Sequence, residues 1–281
     1  TELIITLFGL SAGFVGVVKA TLVGSILSNM LLIMGLGMLV GGIRHPVQKI
    51  DSRLVSATGT QLVLAVAALS LPTLTETNDW GGDGRAAQVL SVGVAVVMLA
   101  IYLLGTVYTL RTTSTGRFRN HERVATDAGG SLWIPLLILL ASAAATVSMS
   151  DILVTTLEPA VGSLHLPRRF AGLIVVPLLG NAIENATAVL EARKDRMTLA
   201  YQIAVGSSTQ IALFVAPLLV LAGLWMGKPF SLVFHPLELL ALGLSVLIAV
   251  LIHLDARSNW LEGAQLLAAY ILFVLAFYFL G

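Results

Sequence analysis

A chain of 281 residues that is 57% hydrophobic and only 11% charged, with a mean hydropathy of +0.93, carries more apolar surface than a soluble domain can hide. It reads as a polytopic helical membrane protein. The net charge of +1 is uninformative because charges are segregated by loop, no basic tract interleaved with aromatics suggests nucleic acid, and the lack of cysteine excludes disulfides, thiol catalysis and thiolate metal sites.

Taken in chain order, apolar runs of about 20 residues predict nine segments, at 1–12, 17–41, 54–74, 86–110, 131–162, 167–192, 197–223, 236–254 and 260–280. Turn and charge signals mark the connections HPVQKIDSR, TETNDWGGDGR, RTTSTGRFRNHERVATD, ARKDR, GKPF and DARSN. Of these, Arg111 to Asp127 is the one long polar linker. Four alternate loops hold Arg44, Lys49, Arg53, Arg111, Arg117, Arg119, Arg123, Arg193, Lys194, Arg196 and Arg257, eleven in all. The opposite side holds Lys19, Arg85, Arg168, Arg169 and Lys228, five in all. That excess predicts the first set on the cytoplasmic side, and the short loops suggest a prokaryotic plasma membrane.

The first segment is too short to span alone, and it exposes an internal repeat. Glu2 lies 22 residues before Gly24-Ser25, and Glu184 lies 22 residues before Gly206-Ser207. At this offset of 182, Ser28 falls on Gln210, Leu31 on Leu213 and Gly41 on Gly223. The first and sixth segments are five helices apart, so the copies insert with opposite orientation. Inverted repeats with sites at broken helices near the midplane mark secondary transporters. The expected fold is all-α, with two inverted-topology repeats of five transmembrane helices. The first repeat is partial over 1–110, a cytoplasmic linker covers 111–130, and the second repeat covers 131–281. Something like Gly180-Asn181-Ala182 is expected ahead of Thr1, so the chain is read as lacking its natural beginning.

The sixth segment carries the strongest functional signal. Glu184 sits in AGLIVVPLLGNAIENATAVL, beside Gly180, Asn181, Asn185 and Thr187. An ionisable group at membrane depth is costly, so it marks a functional site. Pro177 and Gly180 predict a break that frees backbone carbonyls, tolerated only where they line a cavity. Helical spacing groups Glu184 with Asn181 and Thr187, and Glu2 with Thr6. On the second segment Thr21, Ser25 and Ser28 form a stripe with Asn29 beside it. On the seventh, Ser207 and Gln210 form the counterpart, with Ser208 adjacent. Two carboxylates and these neutral oxygens suit calcium, which takes 6–8 oxygens at about 2.3–2.6 Å. No histidine lies in either cluster, which argues against zinc or copper.

Calcium and protons would compete for the same carboxylates, and the empty, doubly charged site is the costly state. Alternating access under that rule is cation/proton antiport. The pair titrates as a coupled unit. Glu158, late in the fifth segment within LEPAV, is read either as an external vestibule acid or as an interfacial residue, with Asp151 a weaker case.

GNAIENATAV followed by VGSSTQIALFV closely resembles the second signature of the calcium/proton antiporters, the cation exchangers of the calcium/cation antiporter superfamily. TELIITLFG followed by GSILSNMLL resembles the first signature without its opening Gly-Asn-Ala. The resemblance covers essentially the whole chain. It implies eleven helices in the complete fold, and Glu2 and Glu184 binding calcium and protons in turn. It also implies that the helix before each signature slides to switch access, here the fifth segment for the second copy. Two features depart from it. Asn185 stands where many relatives carry His, and the basic linker replaces an acidic helix, which puts proton handling and cytoplasmic calcium regulation in doubt.

The proposed metal ligands are therefore Glu2, Glu184, Asn181, Ser28, Asn29, Ser208 and Gln210, with Glu2 and Glu184 binding protons. Thr6, Thr187, Ser25, Ser207 and Glu158 are secondary. No cofactor is expected beyond the transported calcium ion; calcium, protons and lipid are the expected partners. Sodium coupling, manganese transport and a cation channel remain alternatives. An intramembrane hydrolase would need a nucleophile–base pair or a His-Glu-x-x-His motif, and neither is found, so no enzymatic activity is expected.

Overall fold

The computed structural model describes residues 2–77, 85–114, 133–164 and 167–280. Its helices are α1 (Glu2–Ser11), α2 (Val15–Arg44), α3 (Ser52–Thr77), α4 (Arg85–Ser114) and α5 (Trp133–Leu164). They continue as α6 (168–180), α7 (Ala182–Arg193), α8 (Met197–Trp225), α9 (Pro236–His253) and α10 (Trp260–Leu280). Helices satisfy every backbone group internally, as hydrocarbon demands. Among the described residues, six are long and apolar enough to cross a membrane, or seven if the bent pair α6–α7 counts as one span. The nine predicted segments map onto this order, with the sixth divided in two. The chain is a multi-pass membrane protein. Helix α4 runs on to Ser114, four residues into the stretch read as linker, and 115–132 lie outside the described residues.

Local signals explain several boundaries. Gly13, at φ +84°, ends α1 in a left-handed turn that a side chain would strain. Pro236 opens α9 behind a reciprocal cap, in which His235 Nδ1 accepts from the Leu237 amide at 3.3 Å and Glu238 accepts from the His235 amide at 3.0 Å. The α6–α7 pair bends by 66° at Asn181, four residues after Pro177.

The repeat seen in the sequence has structural counterparts. Helix α2 contains a π turn at Ser28–Ile33, and α8 contains one at Ile211–Val215, one residue from the expected offset. Gly41 and Gly223, 182 apart, both sit where a Cβ would collide. At Gly41 it would lie 2.2 Å from Gln48 Oε1, and at Gly223 it would lie 2.6 Å from the Lys228 carbonyl. The last helix of each half covers the π turn of the other. Tyr102 of α4 packs on Phe214 of α8, ring centroids 5.2 Å apart, and Tyr270 of α10 lies beside Ser28 of α2.

Helices α2 and α8 form the centre, with 72% and 67% of their apolar windows enclosed by protein, against 22% for α4 and α10. The outer helices turn residues such as Val96, Leu103, Leu104 and Leu272 outward, as lipid requires. Where α2 meets α6 the backbones touch, since a Cβ on Gly24 would lie 1.9 Å from the Leu173 carbonyl oxygen. Small residues at such crossings are how membrane helices gain packing energy.

Loops segregate as their charges predict. On one face, β1 (Gln48–Lys49) pairs antiparallel with β2 (Arg257–Ser258), and the Asp51 amide donates to Thr198 Oγ1 at 3.2 Å. This joins three of the lysine- and arginine-rich connections. On the other face, the 226–235 connection is tied by Lys228 to the Ser11 carbonyl, by Leu232 N to Ser91 Oγ at 3.0 Å, and by Phe234 N to Thr73 Oγ1 at 3.0 Å.

Candidate cation site

The break at Asn181 builds the site. Its backbone leaves the helical region (φ −109°, ψ 14°), so α7 starts afresh with Glu184 in its first turn. A helix N-terminus presents unsatisfied amides and a partial positive charge, which suits a carboxylate there. The Asn181 side chain, 2% exposed, turns across to the other repeat and donates from Nδ2 to Glu2 Oε1 at 2.7 Å. That bond brings the two halves together at their carboxylates, and Glu184 stands within electrostatic reach of Glu2. Beneath Glu2, Thr6 is 1% exposed and donates to the Glu2 carbonyl at 2.7 Å.

Along α2 and at the start of α7 lie buried polar atoms without a hydrogen-bond partner: Asn181 Oδ1, Ser25 Oγ, Ser28 Oγ, Asn29 Nδ2 and Asn185 Nδ2. An unmet buried polar group costs about 1–3 kcal/mol. Such a cluster persists where water or an ion completes it. Turned about its terminal bond, the amide of Asn29 or Asn185 presents an oxygen instead. The donor set therefore fits a hard cation: two carboxylates, amide oxygens and hydroxyls. No group of three His, Cys, Asp or Glu exists among the described residues.

The π turn at Ser28–Ile33 opens on Ser28 and Asn29, 1% and 2% exposed, within a stretch of α2 that is buried on every side from Ala20 to Leu31. Such turns widen a helix by one residue and are common at functional sites.

The second copy differs. Ser208 is fully buried, but its hydroxyl donates back to the Ala204 carbonyl at 3.1 Å, and its neighbour Thr209 does the same to Val205 at 2.9 Å. Ser207 is half-buried and Gln210 is exposed. Thr187 is exposed too, its hydroxyl donating to the Ile183 carbonyl at 2.8 Å. The buried face of α7 runs through Asn185, Ala188 and Ala192, which puts Glu184 on its flank and Thr187 beyond it. Asn181 meets the site by crossing to Glu2 rather than by sharing a helical face with Glu184. Thr21 is buried, 4% exposed, on the same helix as Ser25. Glu158 and Asp151 lie on α5, with side chains outside the described residues.

Sequence reasoning missed Tyr270. It is 7% exposed, in the middle of α10, and its hydroxyl faces Ser28 without either closing a hydrogen bond. The signal was available: tyrosine favours the membrane–water interface, and this one sits mid-span.

The sodium/calcium exchanger protein family model matches residues 1–111 and 134–279. The chain is 43% identical to a Ca(2+)/H(+) antiporter of Aphanothece halophytica over 99% of its own length and 79% of the relative's. It is 40% identical to a Ca(2+)/H(+) antiporter of Synechocystis over the same shares of the two chains. The solved structure of native YfkE superposes with a TM-score of 0.84 at 32% identity, covering 99% of this chain and 80% of that one. With the family model matched in both halves and the fold shared along the chain, this protein belongs to the sodium/calcium exchanger family, within its calcium/proton antiporter branch.

Proposed function

We propose that this protein exchanges calcium for protons across the membrane by alternating access, with Glu2 and Glu184 binding calcium or protons in turn. The Asn181–Glu2 bond carries the reading, because it ties the residue that opens the second repeat's carboxylate helix to the carboxylate of the first repeat. Similarity to two Ca(2+)/H(+) antiporters supports the choice of ions. In the calcium-loaded state the two carboxylates, Asn181 Oδ1 and the free hydroxyls of Ser25 and Ser28 supply oxygens. When calcium leaves, protons neutralise the carboxylates, and the Asn181 amide holds Glu2 in place through the change. Leaving two like charges together in a low-dielectric site is the state the cycle avoids. Glu158 is the proposed vestibule acid on α5, and the lysine- and arginine-rich face is the proposed cytoplasmic one. The short connections fit a prokaryotic plasma membrane.

The test follows calcium uptake into proteoliposomes under an imposed proton gradient without sodium, for wild type and Glu184→Gln. Uptake in wild type that is lost in the variant is expected. Uptake surviving in the variant would remove Glu184 from the site, and uptake appearing only with sodium would make the protein a sodium-coupled exchanger. Competition also fixes a sign. Half-saturating calcium should rise as pH falls, since protons occupy the oxygens calcium needs, and a titration of uptake against calcium at several pH values reads it.

A further inference from the structure

We infer that Gln48 is a positioning residue for the transport site, a latch by which the first repeat holds the carboxylate helix of the second. The inference rests on the proposed role of Glu184. Gln48 lies in the connection after α2, where its neighbours Pro46, Val47 and Lys49 are exposed. It alone turns inward among them, 1% exposed. Its Nε2 donates to the Ala192 carbonyl at 2.8 Å and to Asp195 Oδ1 at 3.0 Å. Ala192 is in the last turn of α7, where its carbonyl accepts from the Asp195 amide at 3.1 Å as well as from Gln48, and Asp195 follows the helix in a left-handed conformation at φ 61°. Gly41 makes room for the latch, because a Cβ there would lie 2.2 Å from Gln48 Oε1 and 2.8 Å from the Ala192 carbonyl. The latch is itself anchored by the β1–β2 pairing and by Ile50 N bonding the Ala256 carbonyl at 2.9 Å.

Helix α7 needs such a hold because of how it begins. It starts at a 66° break, so α6 does not fix its rotation. At its first turn the Asn181–Glu2 bond reaches the mobile cargo, and at its last turn Gln48 holds it to fixed backbone. A side-chain oxygen about 5–6 Å from a helix axis moves about 1 Å for a ten-degree rotation. Calcium–oxygen bonds span only about 2.3–2.6 Å, so that displacement removes a ligand. Glu191, Lys194 and Arg196 also sit at this end, where the Glu191 carboxylate pairs with Lys194 at 2.7 Å and with Arg196 at 3.3 Å. The opposite face carries a counterpart. Lys228, in the connection after α8, donates to the Ser11 carbonyl at the end of α1, the helix that bears Glu2. Each carboxylate helix is thus held at its far end by the other repeat.

Gln48→Leu keeps the bulk that fills the Gly41 groove and removes both donated bonds. In proton-driven uptake it should raise half-saturating calcium about fivefold to tenfold while maximal rate changes less than about twofold. Gln48→Glu should be worse, because it sets an acceptor against the Ala192 carbonyl and a charge against Asp195. Adding Asp195→Asn to Gln48→Glu restores a donor and should recover part of the loss. Amide hydrogen exchange over 189–193, read on the same proteins, should quicken in Gln48→Leu whatever the transported ions are. Half-saturation within twofold of wild type in Gln48→Leu, or unchanged exchange, overturns the latch. If Gln48→Leu fails to fold, a Gln48→Glu defect that Asp195→Asn leaves untouched overturns it equally. Absence of wild-type uptake counts against the calcium/proton reading instead, and the exchange measurement still decides the latch.

Discussion

The two copies of the repeat supply the same carboxylate and very different surroundings. In α1–α2, the hydroxyls of Ser25 and Ser28 and the Asn29 amide are buried with bonds unmade. In α7–α8, Ser208 and Thr209 spend their hydroxyls on their own helix and Gln210 is exposed. Gly24 touches the Leu173 backbone, whereas a Cβ on Gly206, its counterpart, would meet nothing nearer than Gln202 Cγ at 4.0 Å. In the proposed site the two carboxylates come from the two copies by symmetry, the free hydroxyls come from α2, and the second copy adds the unpartnered amides of Asn181 and Asn185. The cation should lean toward α2, and the two helices should answer differently to the same mutation.

The largest effect tests what the copies share. Glu2→Gln and Glu184→Gln should each reduce proton-driven uptake to the level of empty vesicles, because a lone buried carboxylate neither balances a divalent cation nor repeats the proton exchange. Activity in one variant alone would break the symmetry at its centre. Next comes Gly24→Ala. Its Cβ would meet backbone, which cannot rotate away, so the cost should exceed the roughly 1–3 kcal/mol of ordinary overpacking. A marked drop in the thermal unfolding midpoint of the purified protein checks it.

The neutral oxygens come third. Ser25→Ala and Ser28→Ala should each raise half-saturating calcium by roughly tenfold, about 1.4 kcal/mol for a lost ligand in a dry site. Ser208→Ala removes a hydroxyl already bonded to Ala204 and should stay within about twofold. Equal effects at Ser28 and Ser208 would mean that the site is symmetric after all.

Much of this was legible in the sequence, and the reasons differ by feature. Hydropathy read the helices because lipid imposes a single length scale. The offset of 182 read the repeat, and the π turns at Ser28–Ile33 and Ile211–Val215 follow it to within one residue. The break at Asn181 was readable from Pro177 and Gly180. What spacing misjudged was side-chain direction. The step from Asn181 to Glu184 assumes an unbroken helix, but α7 begins anew at Asn181, which crosses to Glu2, and the buried face of α7 runs through Asn185 and Ala188, leaving Thr187 exposed. Gln210 is exposed while its neighbours Ser208 and Thr209 are buried, a difference that spacing does not encode. Tyr270 showed only as a tyrosine at mid-span, and Gln48 not at all, because their roles depend on contacts across the repeats, at separations that no local pattern encodes.

The smallest effect separates the two tyrosines that cover the π turns. Tyr270 aims its hydroxyl at Ser28 inside the protein, and both oxygens lack a partner. Two such groups side by side are well placed to share a water, which would couple the phenol to the first copy's ligands. Tyr102 meets the other π turn through its ring, on Phe214. Removing the phenol oxygen in Tyr270→Phe should therefore raise half-saturating calcium by about twofold to threefold, less than the loss of a direct ligand. Tyr102→Phe should leave it unchanged. Calcium titrations of uptake on both variants at one pH measure the difference. A shift in neither would confine the working polarity of α2 to Ser25, Ser28 and Asn29, and a shift in both would tie it to the tyrosines' common place over the π turns rather than to the hydroxyl facing Ser28.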